Sequence, residues 1–84
     1  MTTDEIKTLI ETGIAGATAL VEGDDGVHFA AKVIAPAFAG LSPVKRHQLV
    51  YGTLGDRMQR DLHALSIQTY TPEQWEEAKN FKTL

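Results

Sequence analysis

The sequence predicts an α/β (α+β) domain in the order α-β-β-α-β-α, a three-stranded mixed sheet with helices packed on one face. Three observations carry this expectation. Gly23-Asp24-Asp25-Gly26 is a turn signal between two strand-forming runs, because glycine and aspartate tolerate positive backbone angles. Ser42-Pro43 opens a helical pattern long enough to serve as a crossover between strands. The run DLHALSIQTY then alternates at period two, with His63, Leu65, Ile67 and Thr69 on one side and Leu62, Ala64 and Ser66 on the other.

The elements follow in order. Thr2 with Glu5 three residues later forms a capping-box signal. Ile6, Leu9, Ile10 and Ile14 continue it at helical spacing, and Gly13 or Gly16 ends it. Ala17 to Glu22 reads as the first strand. Val27 to Ala35 reads as the second, closed by Pro36, so the pair is a hairpin. Pro36 to Pro43 is a loop containing Gly40. Ser42 is the N-cap of the next helix, with Pro43 at the first helical position, where its missing N–H costs nothing. Val44, His47, Tyr51, Leu54 and Met58 form its predicted apolar stripe, to about Arg60, with Gly52 and Gly55 as weak points. Leu62 to Tyr70 is the third strand. Thr71-Pro72-Glu73-Gln74 starts a last helix able to bury Trp75 and Phe81. A helix between the second and third strands makes those strands parallel, with a right-handed connection.

The 84 residues form a single expected domain, 1–84, with a thin core. No cysteine is present, which excludes a thiolate ligand, a redox pair or a cysteine nucleophile from this chain and fits a reducing compartment. The net charge of -3 opposes broad nucleic-acid binding. The charge is nevertheless uneven. Asp4, Glu5, Glu11, Glu22, Asp24 and Asp25 load the front, whereas Lys45, Arg46, Arg57 and Arg60 share one later segment. The start, MTTDEIKTLIE, has no apolar signal core, and no run is long enough to span a bilayer. A soluble, cytoplasmic protein without membrane contact is expected.

Parallel second and third strands bring their N-terminal ends side by side, about 5 Å apart by strand spacing. His28 and His63 sit near those ends, with the Gly-Asp-Asp-Gly loop overhanging them. Two imidazoles there make an open half-site for a metal, to which only Asp24 or Asp25 could add. Ordinary surface histidines with backbone partners account for the same pattern. His47 lies on the helical stripe in the first turn, where the helix dipole disfavours an imidazolium, and reads as a packed neutral residue. Lys45 and Arg46, beside Gly40 and Ser42, could meet phosphate or simply face solvent.

Catalytic arrangements do not emerge. Asp24 and Asp25 are adjacent in a turn, where turn chemistry explains them better than acid–base work. Ser42 and Ser66 lack the glycine-flanked setting of a serine nucleophile, and no phosphate-binding or dinucleotide glycine motif occurs. An enzyme is not expected.

The segments FAGLSPVKRHQLVYGTL and LHALSIQTYTPEQW are more specific than this general pattern. The sequence resembles the BolA family over nearly its whole length, in the branch that carries histidine in the hairpin loop. GDDGVHF is similar to the family's glycine-rich loop, Phe38-Ala39-Gly40 to its F-x-G, and Ser42 through Tyr51 to its S-x-x-x-R-H-x-x-V-Y helix start. The resemblance implies a class II KH-like fold and partnership with a monothiol glutaredoxin carrying a CGFS motif. It further implies a 2Fe–2S cluster shared with the glutaredoxin and its bound glutathione, with His63 and His28 as ligands. No cofactor is then expected in the isolated protein, and a homodimer of the chain alone is left open. The family also includes DNA-binding transcriptional regulators linked to stress response. Gly40-Leu41-Ser42-Pro43 stands where class II KH domains carry GxxG, so Gly40, Ser42, Lys45 and Arg46 are the DNA-reading alternative.

Overall fold

Thr2 opens the first helix, α1 (Thr3–Gly13), with the capping box the sequence predicts. Its hydroxyl accepts from the Glu5 N–H, and the Glu5 carboxylate accepts from the Thr2 N–H, each at 3.1 Å. The computed structural model describes residues 2–23, 25–55 and 65–82. Expectations for Asp24, Arg57, Met58, Arg60, Leu62, His63 and Ala64, and for the Phe81 side chain, lie outside the described residues.

Ile6 and Ile10 are fully buried one turn apart, and Ile14 follows them into the core. Gly13 closes α1, and Gly16, at φ +74°, turns the chain into β1 (Thr18–Glu22). The return strand β2 (Phe29–Ile34) is shorter than the expected 27–35. Val27 and His28 are lost from it because their N–H groups bond the Asp25 carboxylate instead. At the other end Ala35 gives way to a 3₁₀ turn, Pro36–Phe38, which buries Phe38 completely.

The sheet order is β1-β2-β3, with β3 spanning Leu65–Tyr70. β1 runs antiparallel to β2, from Thr18 opposite Ile34 to Glu22 opposite Ala30. β2 runs parallel to β3, from Phe29 beside Leu65 to Ile34 beside Tyr70. The expected mixed sheet is present. Ala19, Phe29, Ala31, Val33 and Leu65 join the isoleucines of α1 in one core. Full burial of each large side chain contributes about 1.5–3 kcal/mol.

The second helix, α2 (Pro43–Leu54), begins at the predicted cap, with the Ser42 hydroxyl accepting from the Lys45 N–H at 3.3 Å. Its covered face keeps the expected stripe at His47, Tyr51 and Leu54 but not at Val44. Val44 is 66% exposed, whereas Val50 and Leu54 are buried one turn apart, with His47 and Tyr51 half-buried beside them. Burial along α2 starts only at Arg46, so Val44 in the first turn overhangs the core. The Tyr51 hydroxyl donates to the Leu65 carbonyl at 3.1 Å and fixes the start of β3 against the helix.

α1 and α2 pack on the core face. The third helix, α3 (Pro72–Lys82), follows β3 through a second capping box, in which Thr71 and Gln74 exchange bonds at 2.9 and 3.2 Å. Trp75 is half-buried rather than enclosed. Its ring meets Tyr70 edge-on at 5.2 Å, and the Lys32 ammonium lies 5.9 Å from its centroid. Lys32 and Tyr70 belong to the face away from the main core, by the alternation along their strands.

One outer edge of the sheet is tied down by side chains. The Ala19 N–H donates to Glu11 Oε2 at 3.0 Å, and the Ala19 carbonyl accepts from Lys7 Nζ at 3.0 Å. Lys7 and Glu11 also pair with each other at 2.9 Å. Among the described residues, no helix is long and apolar enough to cross a membrane.

Candidate metal site at the hairpin loop

Asp25 builds the loop between β1 and β2. Its Oδ1 accepts from the Val27 N–H at 2.9 Å and from the His28 N–H at 2.8 Å, which folds the chain back on itself. Gly26 takes φ +72°, a conformation few other residues adopt cheaply. The second oxygen, Oδ2, lies 2.9 Å from His28 Nδ1. The His28 ring, then the backbone N–H groups of His28 and Val27, hold the Asp25 carboxyl well below the usual carboxylate range.

The His28 side chain is 73% exposed, although one ring nitrogen is engaged. It stands over a shallow depression lined by Glu22, Gly23, Phe29, Ala30 and Ser66. Gly23 is tight against this wall: a Cβ there would come within 2.9 Å of the His28 carbonyl oxygen. Any larger residue would push the loop off Phe29.

His28 therefore sits one residue before Phe29, in the loop rather than the strand. His63 lies outside the described residues; in the chain it precedes Leu65 by two, and Leu65 is the register partner of Phe29. Among the described residues, no three His, Asp or Glu side chains gather closely enough to hold a metal ion. The pairing of Asp25 with the His28 ring is the contact that the turn pattern does not reveal. The spacing of Asp25, three residues before a histidine across a glycine turn, was the available signal.

The other predicted group occupies the start of α2. Gly40 has φ +79°, and Ser42 caps the helix. Lys45 is exposed. Arg46 is turned inward: Nε donates to the Leu41 carbonyl at 3.0 Å, Nη1 donates to Gln74 Oε1 at 2.8 Å, and the guanidinium lies 5.8 Å from the Phe38 ring centroid. The two adjacent cations thus have different surroundings. Arg46 holds α2 to α3, whereas Lys45 faces solvent.

Comparison with known proteins places this architecture. Residues 12–74 match the family model described as BolA-like protein. The chain belongs to the BolA family. A BolA homologue from Coxiella burnetii has a solved structure that superposes with a TM-score of 0.78 at 49% identity, covering 90% of this chain and 97% of that one. The "DNA-binding transcriptional regulator BolA" of Vibrio cholerae is 48% identical over 50 residues, 60% of this chain and 47% of the relative. The human "BolA-like protein 1" is 39% identical over 69 residues, 82% of this chain and 50% of the relative. The chain thus spans about half the length of these two curated relatives. The BolA fold and the observed element order agree with the class II KH-like expectation.

Proposed function

We propose that this BolA-family chain is an iron–sulfur adaptor, not an enzyme, that binds a monothiol glutaredoxin and co-ligates a shared 2Fe–2S cluster. The observation that carries this reading is the Asp25–His28 contact on an exposed loop. A ligating histidine commonly has its other nitrogen held by a carboxylate, and His28 Nδ1 has that partner at 2.9 Å. The parallel register supports His63 as the second ligand, because Phe29, one residue after His28, lies beside Leu65, two residues after His63. Two imidazoles are too few for a closed site, so the remaining ligands come from the partner: a glutaredoxin thiolate and glutathione. Imidazole in place of thiolate raises the reduction potential and makes the ligand protonation-sensitive. Such a site suits cluster delivery or sensing.

Co-expression with a monothiol glutaredoxin under anaerobic conditions tests this. The visible spectrum of the complex is expected to show cluster bands that His63→Ala removes or strongly alters while the fold persists. Bands unchanged in both His63→Ala and His28→Ala would overturn the proposal.

A second reading draws on the name of the Vibrio relative and on exposed Lys45 beside the capped start of α2. In it, the Gly40–Arg46 segment reads DNA. Binding that weakens steeply with salt and is lost in Lys45→Ala would favour it; no binding at low salt would count against it.

A further inference from the structure

We infer that Asp25 is a positioning residue that fixes the tautomer of His28, so that Nε2 is the nitrogen offered to the metal. The inference rests on the functional reading above and specifies its atom. Three N–H groups converge on one carboxylate: the Val27 and His28 amides on Oδ1, and the His28 ring on Oδ2. An ionised carboxylate has no proton to donate. The ring nitrogen 2.9 Å from Oδ2 must therefore carry the hydrogen, which makes Nδ1 the donor and leaves the lone pair on Nε2.

The same three bonds restrict the ring's orientation. Oδ1 is anchored by two backbone amides of the loop, so Oδ2 cannot follow the ring if it swings away. Asp25 and His28 are three residues apart, and the turn through Gly26 carries both. Loop shape and ligand direction are consequently set by one side chain.

Asp25→Asn separates these two duties. The amide oxygen can still accept the Val27 and His28 N–H groups. The amide nitrogen then faces His28 Nδ1 with hydrogens of its own, which obliges Nδ1 to accept and moves the ring proton to Nε2. The variant keeps the turn and closes the metal-facing nitrogen.

The test is nitrogen-15 NMR of the imidazoles in the metal-free protein at mildly alkaline pH, for the native chain and Asp25→Asn. The expected result is a His28 proton on Nδ1 in the native protein and on Nε2 in the variant. A native ring protonated on Nε2, or the same tautomer in both proteins, would overturn the inference. In the glutaredoxin complex, Asp25→Asn is expected to lose its cluster to a chelator about tenfold faster or more, as when outer-shell partners of metal ligands are changed. An unchanged rate despite a switched tautomer would also overturn it. His28→Ala with unaltered cluster bands would instead reject His28 as a ligand, while the NMR result judged Asp25 separately.

Discussion

Arg46 donates from Nη1 to Gln74 Oε1 at 2.8 Å, joining α2 to the cap of α3 across 28 residues of sequence. Gln74 Oε1 also accepts the Thr71 N–H, so one amide oxygen serves both the cap and the clamp. Arg46→Ala removes two hydrogen bonds and the packing over Phe38, an expected loss of about 1–3 kcal/mol. Lys45→Ala, one residue away and exposed, is expected to leave stability within about 0.5 kcal/mol. Urea titration of both variants checks the difference. The contrast bears on DNA assays, in which loss of binding in Lys45→Ala is informative and loss in Arg46→Ala reports mainly on folding.

Phe38 is completely buried in the turn between β2 and α2. Phe38→Ala removes a ring from the core and is expected to cost about 3–5 kcal/mol, enough to unfold much of a small domain. Far-ultraviolet circular dichroism during thermal melting would register the loss; a melting curve like that of the native chain would contradict this account of the core.

Gly13 decides between two opposing effects. Alanine is a better helix former than glycine by about 1 kcal/mol. A Cβ at this position, however, would lie 2.6 Å from Thr53 Cγ2 and 2.9 Å from Thr53 Cβ. Thr53 cannot rotate away freely, because its hydroxyl donates to the Val50 carbonyl at 2.6 Å. Overpacking of this kind costs about 1–3 kcal/mol, so Gly13→Ala is expected to destabilise. A rise in melting temperature would show that the clash relaxes.

Glu11 gives the fold an acid limit. The hydrogen bond from Lys7 and the Ala19 N–H hold its carboxyl below the usual glutamate value of 4.5. A depressed carboxyl contributes stability that is fully present above the unfolded-state value and is lost as pH falls through the lower, folded-state value. Glu11→Gln keeps an acceptor for Ala19 but has no proton to gain. Its stability is expected to fall less steeply over that acid range than the native chain's, measured by denaturant titration at several pH values. Parallel curves would remove Glu11 from the explanation.

Local chemistry was legible in the sequence, whereas long-range commitment was not. Thr2–Glu5, Ser42–Lys45 and Thr71–Gln74 each close within three residues, and all three caps form where the residue types predict. The parallel pairing of β2 and β3 also follows from a helix too long for a hairpin loop. In the α2 stripe, Val44 is the described position that departs from expectation, because Val44 and Val50 are equally apolar and only the position of the sheet decides which is covered. The Arg46 clamp depends on a partner in another helix, so its sequence neighbourhood suggests only a basic patch. For the candidate site, the histidine in the loop is readable, and Asp25 reads as a turn former or an added metal ligand rather than as the hydrogen-bond partner of the His28 ring. It holds the turn and the ring with different oxygens.

The Lys7–Glu11 pair has a consequence for assembly. Ala19 offers outward the amide and carbonyl that an incoming strand would need to start a fourth rung beside β1, and both are already taken. Another chain could extend the sheet there only by first breaking an ion pair and uncovering two main-chain groups. Two residues of the helix that precedes this short edge strand thus hinder strand addition at Ala19.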